Sequence, residues 1–233
     1  MGQWERFLEP YKQAVDELKI KLKGMRNQFA REIEHSPIEF VTGRVKPIPS
    51  IYDKSLEKGI PFEPSEALAK ELPDIAGLRI MCQFVDDIGT VVENIRLRND
   101  MRVVEERDYI SKNKPSGYRS YHMIIEYPVQ TIHGEIGILA EIQIRTLAMN
   151  FWASIEHSLN YKYKGVFPKE IKARLQRAAE AAFSLDEEMS KIRDEIQEAQ
   201  RYFSEYRGEP RDDMRKTEEG GGGDEIFNPV ERG

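Results

Sequence analysis

Cysteine is nearly absent from this chain: Cys82 is the single one in 233 residues. A disulfide framework and a cysteine-based metal knot are thereby excluded. Cys82 lies in the apolar run Leu78-Arg79-Ile80-Met81-Cys82, which predicts a buried free thiol in a reducing compartment. Histidine is scarce as well, with four residues scattered along the chain, which removes a histidine-based metal site. No apolar run approaches membrane-spanning length and none resembles a signal peptide, so a cytoplasmic protein with no membrane partner is expected. A positive excess is also lacking. The 35 Lys and Arg residues face 41 Asp and Glu, for a net charge of -6. Bulk attraction to nucleic acid is not the main role, although a local basic site remains open.

Within these limits the chain has 33% charged and 39% apolar residues, enough for one large domain with helical extensions. Residues 3–30 predict an amphipathic helix. Its Trp4, Leu8, Tyr11, Val15, Leu18, Leu22 and Met25 recur at alternating four- and three-residue steps. Residues 169–207 carry a longer seam, from Leu175, Ala178 and Ala182 through Leu185, Met189, Ile192, Ile196 and Ala199 to Phe203 and Tyr206. Each seam either packs on the chain's own core or meets another subunit. Between them, residues 38–46, 76–85, 101–109, 119–128 and 134–145 predict strands, with helices near 48–58, 86–97 and 146–163. The fold class is α+β, a mixed sheet of about five strands flanked by helices. Residues 61–73 hold three prolines and predict a loop with a short helix. From Gly208 a charged tail containing Gly220-Gly221-Gly222-Gly223 predicts disorder.

Four motifs place charged side chains at the ends of apolar runs. In Gly134–Arg145, Ile136, Ile138, Ala140, Ile142 and Ile144 form one face, and Glu141, Gln143 and Arg145 share the other. A carboxylate, an amide and a guanidinium on one face can bind metal, orient a hydroxyl and hold a phosphate. The same alternation also fits an edge strand with a solvated polar face. Asp74 precedes Ile75-Ala76-Gly77-Leu78-Arg79, where it can serve as a turn residue or as a magnesium ligand. Arg44 and Lys46 share a strand face, with Ser50 opening a helix behind Pro47 and Pro49, an arrangement suited to an anion. Tyr118, Ser120 and His122 alternate after the turn Lys114-Pro115-Ser116-Gly117, offering a ring to stack a base. The helix over 146–163 then puts Asn150, Ser154, His157 and Tyr161 on a polar stripe and Leu147, Phe151, Ile155 and Leu159 on an apolar side. The first helix presents Lys12, Lys19, Lys23 and Arg26 on roughly one face, a solvated face or a polyanion site.

Taken in order, Gly43-Arg44-Val45-Lys46 with Ser50-Ile51, Asp74 to Arg79, Ser116 to His122, Glu141 to Thr146 and Phe151 to Lys164 resemble the synthetase domain of the RelA/SpoT family, in its small single-domain RelQ-type form. The resemblance covers residues 1–207 as a single (p)ppGpp synthetase domain. It implies transfer of the β,γ-pyrophosphate of ATP to the 3′-hydroxyl of GDP or GTP, with release of AMP, in the stringent response. It implies that Asp74 and Glu141 hold Mg²⁺, that Glu141 assists deprotonation and that Gln143 orients the hydroxyl. Arg44 and Arg79 would sandwich adenine, and Lys46, Ser50, Lys54 and Arg107 would meet the ATP phosphates. Tyr118 would stack guanine, with Lys114, His122 and Asn150 on the acceptor. It further implies a homotetramer with an allosteric alarmone site at Lys19, Lys23, Arg26, Phe40, Thr42 and Gly43. The family's hydrolase carries a His-Asp dipeptide, which this sequence lacks, so synthesis alone is expected. Two other functions compete: a nucleotidyltransferase releasing pyrophosphate, and a non-catalytic binder of nucleotide or single-stranded RNA.

Overall fold

The computed structural model describes residues 2–33, 35–112, 114–163 and 167–207, with side chains 161, 162 and 204–207 left aside. The expected disorder of 208–233 and the placing of Tyr161 and Tyr206 lie outside the described residues. The chain divides into two compact units, residues 1–192 and 193–233.

In the first unit, α1 (Gln3–Glu32) leads into β1 (Phe40–Val45), α2 (Ile48–Lys58), α3 (Glu66–Glu71), β2 (Ala76–Cys82) and α4 (Val85–Arg96). Then come β3 (Arg102–Asp108), β4 (Tyr121–Thr131), β5 (Gly134–Thr146), α5 (Leu147–Lys162) and α6 (Lys169–Arg207), whose last fifteen residues fall in the second unit. The five strands form one sheet in the order β1-β2-β5-β4-β3. Only β2 and β5 run parallel; the other pairs are antiparallel. The expected element boundaries hold to within three residues.

Two-residue periodicity divides the sheet. Val41 of β1, Leu78, Ile80 and Cys82 of β2, Met123, Ile125 and Tyr127 of β4 and Ile138, Ala140, Ile142 and Ile144 of β5 form the buried face. The α1 seam residues Leu8, Tyr11, Val15, Leu18, Leu22 and Met25 cover it, and α4 adds Ile88, Val91, Val92 and Ile95. Each such fully buried aliphatic side chain contributes about 1.5–3 kcal/mol. The α1 seam therefore packs on the chain's own core. Gly43 lets α1 lie directly on β1: a Cβ there would stand 3.0 Å from Val15 Cγ1 and 3.1 Å from Lys19. The ribbon of β4 and β5 continues past the end of β3, with Tyr127 to Thr131 paired against Ile138 to Gly134 and Pro128 opposite Gly137.

Three expectations are corrected. First, β5 is central, flanked by β2 and β4, so its polar alternation is not that of an edge strand. Second, the strand begins at Tyr121, and Gly117 takes φ 88°, so Tyr118, Ser120 and His122 do not alternate on one face. Ser120 is instead buried, donating to the Ile144 carbonyl at 3.4 Å. Third, the apolar side of α5 is not the side that packs on the core. Met149, Trp152 and Ala153 are buried, while Leu147, Phe151, Ile155 and Leu159 are 42–69% exposed.

The seam of α6 is likewise uncovered at Leu185, Met189 and Ile192 in the first unit; in the second, Ile196 and Phe203 are exposed. What α6 buries is Ala179, Asp186 and Ser190. Asp186 accepts from the Thr146 hydroxyl, which itself caps α5 by accepting from the Met149 amide at 3.1 Å. Burial pushes the Asp186 carboxyl up to about 6, against the smaller opposing effect of the Thr146 hydrogen bond.

Candidate active site

The face of the sheet opposite α1 carries the polar side chains, and register aligns them. Arg44 of β1 pairs with Gly77 of β2, which pairs with Glu141 of β5. One step along, Thr42 pairs with Arg79, Arg79 with Gln143, Gln143 with His122 and His122 with Arg107. Registered partners point to the same side of a sheet, so residues far apart in the sequence, from Thr42 through Arg107 and His122 to Gln143, converge here. Gly77 contributes no side chain to its row and leaves a gap between Arg44 and Glu141. That gap belongs to a cavity of about 290 Å³ lined by Thr42, Gly43, Arg44, Lys46, Asp74, Gly77, Leu78, Arg79, Glu141 and Gln143.

The two carboxylates of this cavity are held differently. Asp74 Oδ2 accepts from Lys46 and, at 2.6 Å, from Lys54 of α2, while Oδ1 is buried without a hydrogen-bond partner among the described residues. Burial raises the Asp74 carboxyl, but the two lysines outweigh it and hold it below the usual aspartate range. The two lysines diverge. Burial, the larger effect at Lys46, lowers that ammonium despite Asp74. At Lys54, with a more exposed side chain, the hydrogen bond and charge of Asp74 overcome burial and raise it. Glu141 has both oxygens engaged, Oε1 with His122 Nδ1 at 2.9 Å and Oε2 with Gln143 Nε2 at 2.7 Å. Burial raises its carboxyl, and the hydrogen bonds from His122 and Gln143 bring it below the usual glutamate range. Both acids are thus anionic near neutral pH, on the wall of one cavity, among four cations.

The donor set suits a hard divalent ion. Among the described residues no three His, Cys, Asp or Glu side chains group as a metal site. Magnesium commonly takes only one or two protein carboxylates and completes its shell with phosphate oxygens and water. The unpartnered Asp74 Oδ1 is an acceptor of the kind such an ion requires.

The remaining expected residues are placed as follows. Arg79 Nε reaches Gln143 Oε1 at 3.4 Å. Ser50 is exposed in the first turn of α2. Arg107, outside the cavity lining, is engaged by Glu105 at 2.6 and 2.9 Å. Tyr118 Oη meets His122 Nε2 at 2.8 Å, and Lys114 Nζ stands over the rings of Tyr109 and Tyr118 at 4.6 and 5.1 Å. Asn150 Oδ1 is buried with no hydrogen-bond partner among the described residues. On α1, Lys12 and Lys19 pair with Glu9 and Asp16, Lys23 is exposed, and Arg26 Nε donates to the Ile38 carbonyl at 3.2 Å. Gly43 faces Lys19 on the α1 side of β1, whereas Phe40 and Thr42 alternate onto the cleft side. Sequence reasoning missed Tyr109, whose ring lies edge-on to His122 at 5.2 Å. It also missed how α6 backs the 114–120 loop. Arg119 stacks on Phe183 at 4.0 Å, and a Cβ at Gly117 would come within 2.5 Å of Ala179 Cβ.

Comparison with known proteins gives a consistent result. Residues 43–166 match the model of the region found in RelA / SpoT proteins. The chain is 63% identical over 202 residues to the GTP pyrophosphokinase YjbM of Bacillus subtilis, covering 87% of this chain and 94% of that one. The crystal structure of the small alarmone synthetase 1 from Bacillus subtilis bound to its product pppGpp superposes with a TM-score of 0.77 at 62% identity, covering 84% of this chain and 98% of that one. The same synthetase bound to AMPCPP gives a TM-score of 0.74 at 60% identity with the same coverage.

Proposed function

We propose, from the premise that this chain belongs to the family of RelA/SpoT proteins, that it is a (p)ppGpp synthetase that moves the β,γ-pyrophosphate of ATP to the 3′-hydroxyl of GDP or GTP and releases AMP. The reading rests on one observation above others: Asp74 and Glu141 line a single cavity together with Arg44, Lys46 and Arg79. One relative of this sequence, the small alarmone synthetase 1 from Bacillus subtilis, binds its product pppGpp and binds AMPCPP, a guanosine and an adenosine nucleotide.

In this reading Arg44 and Arg79, diagonal neighbours on the cleft face, take the adenine between their planar guanidinium groups. Lys46, Lys54, Ser50 and Arg107 serve the triphosphate. Asp74, through its free Oδ1, and Glu141 would hold Mg²⁺, which when bound offsets the charge of the phosphates. Tyr118 stacks the guanine, with Lys114, His122 and Asn150 on the acceptor's polar groups. Gln143 orients the 3′-hydroxyl, and Glu141 takes its proton as the 3′-oxygen attacks the β-phosphorus. The bond from that phosphorus to the oxygen bridging it to the α-phosphorus breaks, and AMP departs with the electron pair. Such a reaction asks the protein for alignment and charge compensation more than for covalent chemistry.

Residues 1–207 are taken as the synthetase domain, acting in the cytoplasm as a homotetramer. The uncovered stripes Leu147, Phe151, Ile155, Leu159 on α5 and Leu185, Met189, Ile192 on α6 support assembly, because grouped exposed apolar side chains mark interaction surfaces. Lys19, Lys23, Arg26, Phe40, Thr42 and Gly43 are the proposed alarmone site.

Chromatography of nucleotides after incubation with ATP, GTP and Mg²⁺ tests the activity. AMP and a guanosine 3′-pyrophosphate are expected; pyrophosphate without AMP would point to nucleotidyl transfer instead. Asp74→Asn and Glu141→Gln are each expected to remove nearly all turnover, and full activity in both would refute the assigned roles.

A further inference from the structure

Arg145 is a buried cation that the reaction as described leaves idle. It is 4% exposed, and no ion pair engages it among the described residues. Guanidinium groups are rarely taken from water without a carboxylate, because the desolvation is then uncompensated. Nor is it among the residues that line the cavity. Instead its Nη2 donates to two neutral oxygens, Tyr118 Oη at 3.0 Å and Gln143 Oε1.

From those two oxygens, two hydrogen-bonded arms lead to the same carboxylate. A guanidinium only donates, so the Tyr118 oxygen accepts from Arg145 and its own hydrogen is free for His122 Nε2 at 2.8 Å. Nε2 is then the accepting nitrogen, and Nδ1–H donates to Glu141 Oε1 at 2.9 Å. On the other arm Gln143 turns its oxygen to Arg145 and, at 3.4 Å, to Arg79 Nε, and this orientation of the amide sends Nε2–H to Glu141 Oε2 at 2.7 Å. The assignment closes a ring of five side chains, with Arg145 Nε left buried and without a hydrogen-bond partner among the described residues. It also orders each ambiguous group: one imidazole tautomer, one amide orientation, one hydroxyl direction.

We propose that Arg145, acting with the Tyr118 hydroxyl, is a positioning residue that sets the orientation of both Glu141 oxygens from behind the cleft. The inference rests on Glu141 being the group that meets the 3′-hydroxyl. It separates two roles within one side chain: the ring of Tyr118 faces the acceptor, whereas its oxygen belongs to the Glu141 support.

Tyr118→Phe divides them, since it keeps the ring and deletes one atom. The expected result is a fall in kcat of about ten- to a hundredfold with KM for ATP and for GTP within about twofold of the parent. Arg145→Lys keeps a charge but not the planar pair of donors, and is expected to lower kcat similarly. The double variant should fall little further than either alone, because both changes break the same ring. Thermal unfolding of each variant is measured alongside; if Arg145→Lys fails to fold, Tyr118→Phe decides alone. Unchanged kcat in Tyr118→Phe, or a loss carried wholly by KM for GTP, would overturn the proposal. If Glu141→Gln is inactive while Tyr118→Phe matches the parent, the ring is wrong and the role of Glu141 stands. If Glu141→Gln stays active, that role itself is wrong.

Discussion

Asp186 offers a measurement of what a buried carboxylate without a cation does to this fold. Its side chain is 6% exposed, and the one hydrogen bond it receives among the described residues comes from Thr146. The acid rises from 3.8 to about 6 on folding. At about 1.4 kcal/mol per pH unit, its ionisation destabilises the native state by about 3 kcal/mol at pH 8. The sign follows from linkage. An acid whose native value lies above its unfolded one binds more protons when folded, so stability falls as pH climbs from about 4 to about 6 and stays lower above. About half of the penalty is already present at pH 5. Asp186→Asn keeps an acceptor for Thr146 and removes the charge, while its amide hydrogens go unmatched at about 1 kcal/mol. The net gain is about 2 kcal/mol at pH 8, or about 4–8 °C in Tm for a chain of this length. At pH 5 the gain shrinks to about 2 °C by the same conversion. Calorimetric unfolding of both proteins at pH 5 and pH 8 checks this. A variant no more stable than the parent at pH 8, or a gap that does not widen between the two, would refute the reasoning.

Asp74 and Glu141 titrate in the opposite sense: their lowered values stabilise the fold above about pH 4 and that contribution is lost as pH falls further, so Asp74→Asn should flatten the acid limb of a pH–stability curve. Gly43→Val should cost about 1–3 kcal/mol in denaturant unfolding, because even its Cβ would stand 3.0 Å from Val15 and 3.1 Å from Lys19. Gly117→Ala should be worse placed, combining a positive φ with a clash at Ala179, and is expected to raise KM for the guanosine acceptor more than KM for ATP in steady-state assays. Phe151→Glu, at a position 69% exposed, should leave the monomer folded and lower the mass seen in light scattering; an unchanged mass would remove α5 from the interface.

The strands and helices were legible because period-2 and period-3.6 patterns report which face is buried. The α1 seam, for instance, became the cover of the sheet residue by residue. Those same patterns do not say which strands adjoin. The polar face of β5 reads alike on an edge and in the centre, and only its pairing with both β2 and β4 turns Glu141 and Gln143 toward a cleft. For α5 the pattern misled: the apolar stripe from Leu147 to Leu159 is the exposed one, and Trp152, whose indole donates to the Leu175 carbonyl at 3.0 Å, anchors the helix instead. A stripe meant for another surface and a stripe meant for the core have the same spacing. Arg145 was visible as a charged residue on the right face, but its partners lie 2 and 27 positions away, and no local pattern announces them.

The ribbon that β4 and β5 extend beyond β3 has a bearing on solubility. Among the described residues no strand pairs with the outer side of β4 past Glu126, and an open row of backbone donors there would invite a second chain to dock in register. Pro128 stands in that stretch and has no amide hydrogen to offer. A single imino acid thereby interrupts the template, and the hairpin can project with Ile132 at its tip without seeding intermolecular β-structure.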